Sequence, residues 1–521
     1  MTVEVYARAI ELTSDACAHG GAIYYASDAG RVLVSPRLEP LLLQLSHRPR
    51  IDGDFLADLL SLEDGDPAAT PYRGVFRVPA FHRVRVSPEG ARTQERLWRP
   101  LEPLTGIDEQ DAANELRRLI LVAVKRALTG TERVAVLAAG GVDSSGLLAA
   151  AIAEARGAGR PEVEAIALDY GGVGDDRPYF RELVAALGIV PIRLPPRAGG
   201  PYTRDALVMD ACPVISPGAG AELAIGAVAR ARGVELILSG EGGDELFDGD
   251  RYALLETHRQ RGGALAAARR ALDIPVYSPC HPLERVLRFI VAPALARRIP
   301  HPVRRLRRWA AVRAAWSWAG PRLREHLRRD PVRRLPGTTC DERFASFASD
   351  GVRSNHATAR AQLEAATGIK RIDPYLDPEL VAFVMRLPLE HLFFGGRMRG
   401  LFRHAIRGLV PDRIRLRPDK AHVEEGLREL LAAAGGFEAF SDLTHPVHLE
   451  ELGLVDAEAF HRTALAQAKD PRMRPGEWVH LWPVMALEGF VRYARSRATA
   501  SIPSISPLPS IPRIPFIPPA P

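Results

Sequence analysis

Cysteine is scarce in this 521-residue chain: there are four, Cys17, Cys212, Cys280 and Cys340. They are far apart and no two stand at metal-ligand spacing, which excludes a zinc-ribbon or disulfide-framework reading and leaves them as small buried side chains. Long apolar runs are missing too. None approaches the roughly 20 residues that a membrane helix needs, and Met1–Ile10 (MTVEVYARAI) lacks the basic start and apolar core of a secretory signal. The expectation is a cytoplasmic protein with no membrane association. No long internal repeat is present, and no recognised nucleic-acid-binding motif accompanies the net charge of +6 and the pI near 9.3. A moderately basic chain could suit an anionic partner, but no nucleic acid is expected.

What is there has the make-up of a soluble globular protein, with 46% hydrophobic and 25% charged residues and length for two or three domains. Residues 1–105 read as short strand-like pieces broken by turns: VEVYARAI, GAIYYASD, RVLVSP, GVFRVP and HRVRVSPEG. They predict a small antiparallel, β-rich first domain. LEPLTGIDEQ is a linker, followed by helical spacing of Leu116, Leu119, Ile120 and Val124 in Asp111–Leu128. Residues 110–498 form the second domain. Within it, the strand-like VAVLAA, VEAIALDY (Val163–Tyr170) and VELILSG (Val234–Gly240) alternate with helical Ser145–Arg156, Pro178–Leu187 and Ala219–Arg230. That alternation predicts an α/β fold with a parallel sheet and right-handed crossovers. In such sheets ligands bind beyond the carboxyl ends of the strands, where this chain places a glycine loop, Asp169 and Ser239-Gly240-Glu241.

The glycine loop, VAVLAAGGVDSSGLLAA (Val134–Ala150), organises the reading. Gly140-Gly141 turn the backbone between strand and helix, so that exposed N–H groups and the helix dipole can receive an anion. Asp143 is unfavourable beside phosphate unless a cation intervenes, so the loop predicts Mg²⁺ together with a nucleotide. A second acidic loop, Ser239–Asp250, carries Glu241, Asp244 and Glu245 among glycines. Both loops sit at strand ends of one sheet and should meet, with Asp143 and Asp244 as the metal pair and Ser239 and Gly240 against the nucleotide.

Arg251 to about Asp350 is helical and arginine-rich, either a solvated face or a docking surface for an acidic peptide, with Trp309, Trp316 and Trp318 among the arginines. Leu380, Phe383, Val384 and Leu387 stand at core spacing further on. Residues 499–521 form a Pro-rich tail that can neither pair in a sheet nor sustain a helix, expected as disordered or polyproline-like, a ligand for a partner or dispensable.

These motifs carry a resemblance. LAAGGVDSS resembles the pyrophosphate loop SGGxDSS of the asparagine synthetase superfamily, and LSGEGGDELFDGD resembles its LSGEGADELFGGY. GIKRIDPYLDPELVAFVMRLP is similar to its GxExRxPFLD segment, RIRLRPDK to the stretch that ends in a catalytic lysine, and YRGVFRVPAFHRVRV to the end of its first domain. The resemblance implies an adenine-nucleotide alpha-hydrolase-like synthetase domain with extra helices, preceded by a reduced glutaminase-like domain. It implies ATP and Mg²⁺ as cofactors, attack of a carboxylate on the α-phosphate, release of pyrophosphate and AMP, and amide formation with an amine. Catalytic roles fall to Lys420, Asp143, Asp244 and Glu241. The nucleotide falls to Leu137, Ala139, Gly140, Gly141, Asp143, Ser144, Ser145, Leu168, Ser239, Gly240 and Glu241.

Departures narrow the expectation. The family's glutaminase uses an amino-terminal cysteine, whereas this chain starts Met1-Thr2-Val3 and its first cysteine is Cys17. No glutaminase is expected, so the amine comes from the substrate or from solution. Lys370 replaces the acidic residue of GxExR, which argues against selecting a free amino acid there. These absences are similar to the ring-closing branch, above all the lasso peptide cyclases, which join a precursor peptide's α-amine to an Asp or Glu side chain. Expected partners are that precursor peptide, a leader-binding protein and a leader peptidase. β-Lactam synthetase-like or other amide ligation of a small molecule is the alternative. Ala139 replaces the first serine of SGGxDSS, losing a hydrogen bond worth on the order of 1.5–3 kcal/mol. A catalytically weakened nucleotide-binding scaffold is therefore a third reading.

Overall fold

The computed structural model describes residues 2–6, 9–14, 21–61, 65–97, 102–159, 161–169, 175–194, 207–216, 218–274, 281–291, 316–328, 338–349, 351–418, 437–469 and 481–499. Lys420, Trp309 and the tail beyond Thr499 lie outside them.

The amino-terminal part is antiparallel, as the alternating pattern predicts. β1 (Thr2–Tyr6), β2 (Ala9–Thr13), β6 (His82–Val86) and β7 (Arg92–Arg96) form one sheet in the order β1-β2-β6-β7. β3 (Tyr24–Asp28), β4 (Arg31–Ser35) and β5 (Val75–Arg77) form a second, in the order β4-β3-β5. VEVYARAI is thus a hairpin's two strands, Val5 opposite Ile10, and not one strand. Leu12, Ile23, Tyr25, Val78, Val84 and Val86 pack in one cluster contributed by both sheets. Two helices that the strand-and-turn reading passed over, α1 (Leu38–Gln44) and α2 (Gly53–Ser61), bury Leu38, Leu41, Phe55, Leu56 and Leu60.

The second part is α/β. α3 (Glu109–Leu128) begins where the Asp108 carboxylate accepts from the Asp111 N–H, 2.7 Å, with Glu109 and Asp111 in the first turn and Lys125 and Arg126 in the last. That charge order suits the helix dipole. Five strands then build one sheet: β8 (Arg133–Leu137), β9 (Glu162–Leu168), β10 (Ile192–Leu194), β13 (Leu236–Leu238) and β14 (Lys370–Ile372), in the order β10-β9-β8-β13-β14, all parallel. A separate two-stranded hairpin, β11 (Val208–Met209) and β12 (Cys212–Pro213), precedes β13. Period-two alternation sorts the central strand: Val134 and Val136 enter the large core on one face, while Ala135 joins Ile166, Ile225 and Ile237 on the other. Because both faces are covered, VAVLAA reads as a continuous apolar run.

The crossover helices are α4 (Val142–Ala158), α5 (Arg177–Leu187) and α6 (Ala219–Ala231). Along α4, Leu147 to Ala151 are all nearly inaccessible, so the middle of this helix is buried on every side, while its last turns expose Ala153, Arg156 and Gly157. The chain leaves β8 toward β9 on one side and returns to β13 on the other. The direction of strand order therefore reverses between β8 and β13, and a crevice opens beyond their carboxyl ends.

The arginine-rich region contains helices at Arg251–Asp273, Pro282–Val286, Pro321–Arg328 and Cys340–Ser349. Its two described tryptophans are structural. Trp316 stacks on Trp318 with ring centroids 5.6 Å apart, and Trp318, 2% exposed, joins a core that also holds Tyr24, Leu38, Leu56, Phe460 and Phe490. Trp318 is therefore no docking side chain. That core draws on both ends of the chain.

Candidate functional site

The loop after β8 turns at Gly140, whose φ of +98° is a left-handed conformation. A Cβ there would lie 2.6 Å from the Asp176 carbonyl oxygen and 2.8 Å from the Phe180 nitrogen, so only glycine fits. Gly141 caps α4, its carbonyl accepting from the Ser145 N–H at 3.0 Å and from Ser144 Oγ at 3.3 Å. The loop after β13 leads through Gly242 (φ +85°) into α7 (Gly243–Phe247). The two loops touch as expected. A Cβ on Gly240 would meet the Ser144 nitrogen at 3.4 Å, and one on Gly243 the Asp143 Cγ at 3.0 Å.

Together they wall a cavity of about 330 Å³. Of the residues expected at the nucleotide, Leu137, Gly141, Asp143, Ser144, Ser239, Gly240 and Glu241 line it, as does Asp244, expected at the metal. Gly140 and Ala139 do not line it, and Gly140 offers its carbonyl to the lining Arg417 Nη1 at 3.1 Å. Ser145 is not brought to the cavity: the helix turns it into the core, fully buried, with its hydroxyl unsatisfied. Leu168 packs against the cluster on the sheet's other face. Lys370 is exposed at the start of β14, and its neighbour Arg371 is the one that reaches the cavity. Lys420 lies outside the described residues.

Arginine is what sequence reasoning missed. Arg371, Arg399, Arg403 and Arg417 all line the cavity. Arg399, 5% exposed, pairs with Asp143, with Asp244 and, through Nε at 2.5 Å, with Asp248. Its backbone is left-handed, φ 56° and ψ 31°, and it starts the helix Gly400–Ala405. Arg417 Nη1 also donates to Asp176 Oδ1 at 2.5 Å, and its guanidinium lies 4.0 Å over the Tyr179 ring. Arg403 Nε donates to the Met398 carbonyl at 2.9 Å. Burial works against the Arg371 charge, but Glu222, Asp373 and Glu241 outweigh it and hold the guanidinium above its usual value; Glu222 Oε2 accepts from Nη1 at 2.7 Å. Arg371 and Arg417 stood in quoted motifs, GIKRIDPYLDPELVAFVMRLP and RIRLRPDK, but Lys370 and Lys420 drew the attention there, and Arg399 and Arg403 stood in none.

Further side chains fix the loops from behind. Tyr375 Oη donates to the Asp143 carbonyl at 2.8 Å, and burial first, then the Asp143 charge, push this phenol well above its ordinary range, so it stays protonated and donating. Ser239 Oγ donates to Asp373 Oδ1 at 2.5 Å, and the other oxygen of that buried carboxylate accepts from Arg360 Nη1 at 2.5 Å.

The residues fit a magnesium ion. The Asp143 and Asp244 carboxylates converge on a single cationic group, and Asp143 Oδ1 is buried without a hydrogen bond. Among the described residues no group of three or more candidate ligands stands together; Mg²⁺ is usually held by one or two carboxylates plus substrate phosphates. No helix of the described residues is long and apolar enough to cross a membrane.

Comparison with known proteins agrees with this geometry. The asparagine synthase family model matches residues 115–492, well over half of the chain, and the chain belongs to that family. The family's members are ATP-dependent ligases that form amide bonds. No curated protein matches the chain.

Proposed function

We propose that this member of the asparagine synthase family is a lasso peptide cyclase: an ATP- and Mg²⁺-dependent ligase that closes a macrolactam ring in a precursor peptide. The observation that carries the ATP chemistry is the contact of the two strand-end loops, which sets Asp143 and Asp244 on one cation beside a glycine-lined anion cradle. The peptide specificity rests on Lys370 in place of the family carboxylate.

Backbone N–H groups at Gly141 and Ser144 and the start of α4 would receive the phosphates. Asp143 and Asp244 would hold Mg²⁺, which when bound neutralises the leaving pyrophosphate. An Asp or Glu side chain of the peptide attacks the α-phosphorus of ATP, the bond to pyrophosphate breaks, and the acyl-adenylate forms. The peptide's α-amine then attacks the acyl carbon, loses a proton, and AMP leaves. Lys420 is proposed to stabilise negative charge in both steps as a point-charge donor. Glu241, on the cavity wall, is proposed to assist, and holding the folded peptide with its amine near the acyl group supplies most of the rate. A leader-binding protein and a leader peptidase are the proposed partners, and the cytoplasm the proposed location. The amino-terminal strands are proposed as a reduced glutaminase-like domain.

The second reading is a β-lactam synthetase-like amide ligase that acts on a small molecule. Incubation with acidic precursor peptides and with small amino-carboxylates, in the presence of ATP, separates the two readings. The proposal expects AMP, pyrophosphate and loss of one water from a peptide, all abolished in Asp143→Ala. ADP in place of AMP overturns the mechanism. Cyclisation of a small molecule alone overturns the peptide reading.

A further inference from the structure

A second, larger cavity of about 610 Å³ lies far along the chain from the first, between α1 with the loop that follows it and the last turns of the helix Leu481–Thr499. Its floor is apolar, made by Leu43, Leu45, Ile51 and Tyr72, and Leu43 is 52% exposed. Its lining also carries Arg48, Arg50, Arg73, Arg495 and Arg497; Arg495 pairs with Glu451 and Arg497 with Glu39, each leaving further guanidinium N–H groups.

The chain itself carries a segment of matching chemistry. Tyr493, Ala494, Arg495 and Arg497 line the cavity from the helix that ends at Thr499, and residues 500–521 follow directly. In that tail Ile502, Ile505, Leu508, Ile511, Ile514 and Ile517 recur at a strict period of three, interleaved with eight prolines. A polyproline II helix has three residues per turn, so in that conformation all six aliphatic side chains would fall on one face, a stripe about 45 Å long. Such a chain makes no internal hydrogen bonds, and its prolines donate none, so it presents an excess of carbonyl acceptors. An apolar stripe between acceptors is the complement of an apolar floor between arginines.

We propose that the groove is the docking site of this chain's own tail, with the Ile505–Ile511 part of the stripe on Leu43, Leu45 and Tyr72. The tether is short. Tyr493 lies about 9 Å back along the helix from Thr499, a distance that three or four extended residues cover. Docking is therefore intramolecular at high effective concentration, and modest contacts suffice to hold it.

The test uses the full chain with the photo-crosslinker benzoylphenylalanine in place of Leu508, irradiated and mapped by peptide mass spectrometry. Cross-links should fall within one chain, on residues 42–51 or 493–497. Leu43→Asp, a half-exposed position where the fold is not at risk, should lower their yield at least about tenfold because a carboxylate is placed against the apolar stripe. Ile505→Ser with Ile511→Ser, outside the folded core, should do the same with an unchanged melting temperature. Cross-links elsewhere, cross-links joining two chains, or a yield indifferent to both variants would overturn the proposal.

Discussion

Replacing Arg399 by methionine tests whether this guanidinium holds the place of the metal. The side chain is 6% exposed and meets three carboxylates, whose side-chain exposures are 16% for Asp143, 52% for Asp244 and 29% for Asp248. The Asp244 pair is half in water and is worth at most about 1 kcal/mol. The Asp143 and Asp248 pairs are largely shielded, and removing a shared partner strands their charges, a loss on the order of 3 kcal/mol. A divalent cation at 100 times its dissociation constant would return about 2.7 kcal/mol. Without nucleotide, Arg399→Met should therefore melt well below the parent in EDTA and recover most of the deficit in excess Mg²⁺. The parent should barely respond, since the metal must first displace the guanidinium. Scanning calorimetry of both proteins with EDTA or MgCl₂ reads this directly. Equal Mg²⁺ stabilisation of parent and variant would refute the competition.

Gly140→Ala forces a Cβ against the Asp176 carbonyl in a left-handed backbone. It should cost about 1–3 kcal/mol and weaken ATP binding in titration calorimetry, whereas an unaltered affinity would show that the loop is not the phosphate cradle. Burial pushes the Cys212 thiol up to about 12, so it holds its proton across the physiological range. Iodoacetamide at pH 8 should leave it unmodified in the folded chain and alkylate it after denaturation, as peptide mapping would show. Burial also raises the Glu364 carboxyl above its ordinary range. A raised carboxyl supplies stability that is fully present below the unfolded value, near 4.3, and is lost as pH rises through the folded one. The melting temperature of Glu364→Gln minus that of the parent should therefore grow between pH 4 and pH 7, and a difference that shrinks would contradict the sign.

The legible parts of the fold were those whose signal is local. β8, β9 and β13 are apolar runs with glycine or acidic ends, and Gly140-Gly141 before Asp143-Ser144 declares a strand, turn and helix without neighbours. β10 and β14 carry no such signal. Ile192–Leu194 and Lys370–Ile372 are three residues each, IRL and KRI, and they are strands because β9 and β13 present open edges to pair with. The α1 sequence LEPLLLQ lies within a stretch dominated by strand patterns, and its Leu38 and Leu41 face a core completed by Trp318 and the helix Leu481–Thr499. Arg399 was illegible for a related reason. It lies 256 residues from Asp143, and one arginine among many shows its role only when folding delivers it.

The left-handed backbone at Arg399 adds weight to that role. A non-glycine residue holds this conformation at a cost of about 1–3 kcal/mol only where the surroundings over-determine it. Here three carboxylates do so, and each cavity arginine is similarly engaged: Arg371 by Glu222, Arg403 by the Met398 carbonyl, Arg417 by Asp176 and the Gly140 carbonyl. The cavity's arginines are therefore each tied to protein acceptors, and an entering triphosphate would share or exchange those partners. A cation taking over Asp143 and Asp244 would release Arg399 toward phosphate, so nucleotide and metal should bind together more tightly than either binds alone. That coupling is reciprocal by linkage, and Arg399→Met should weaken it.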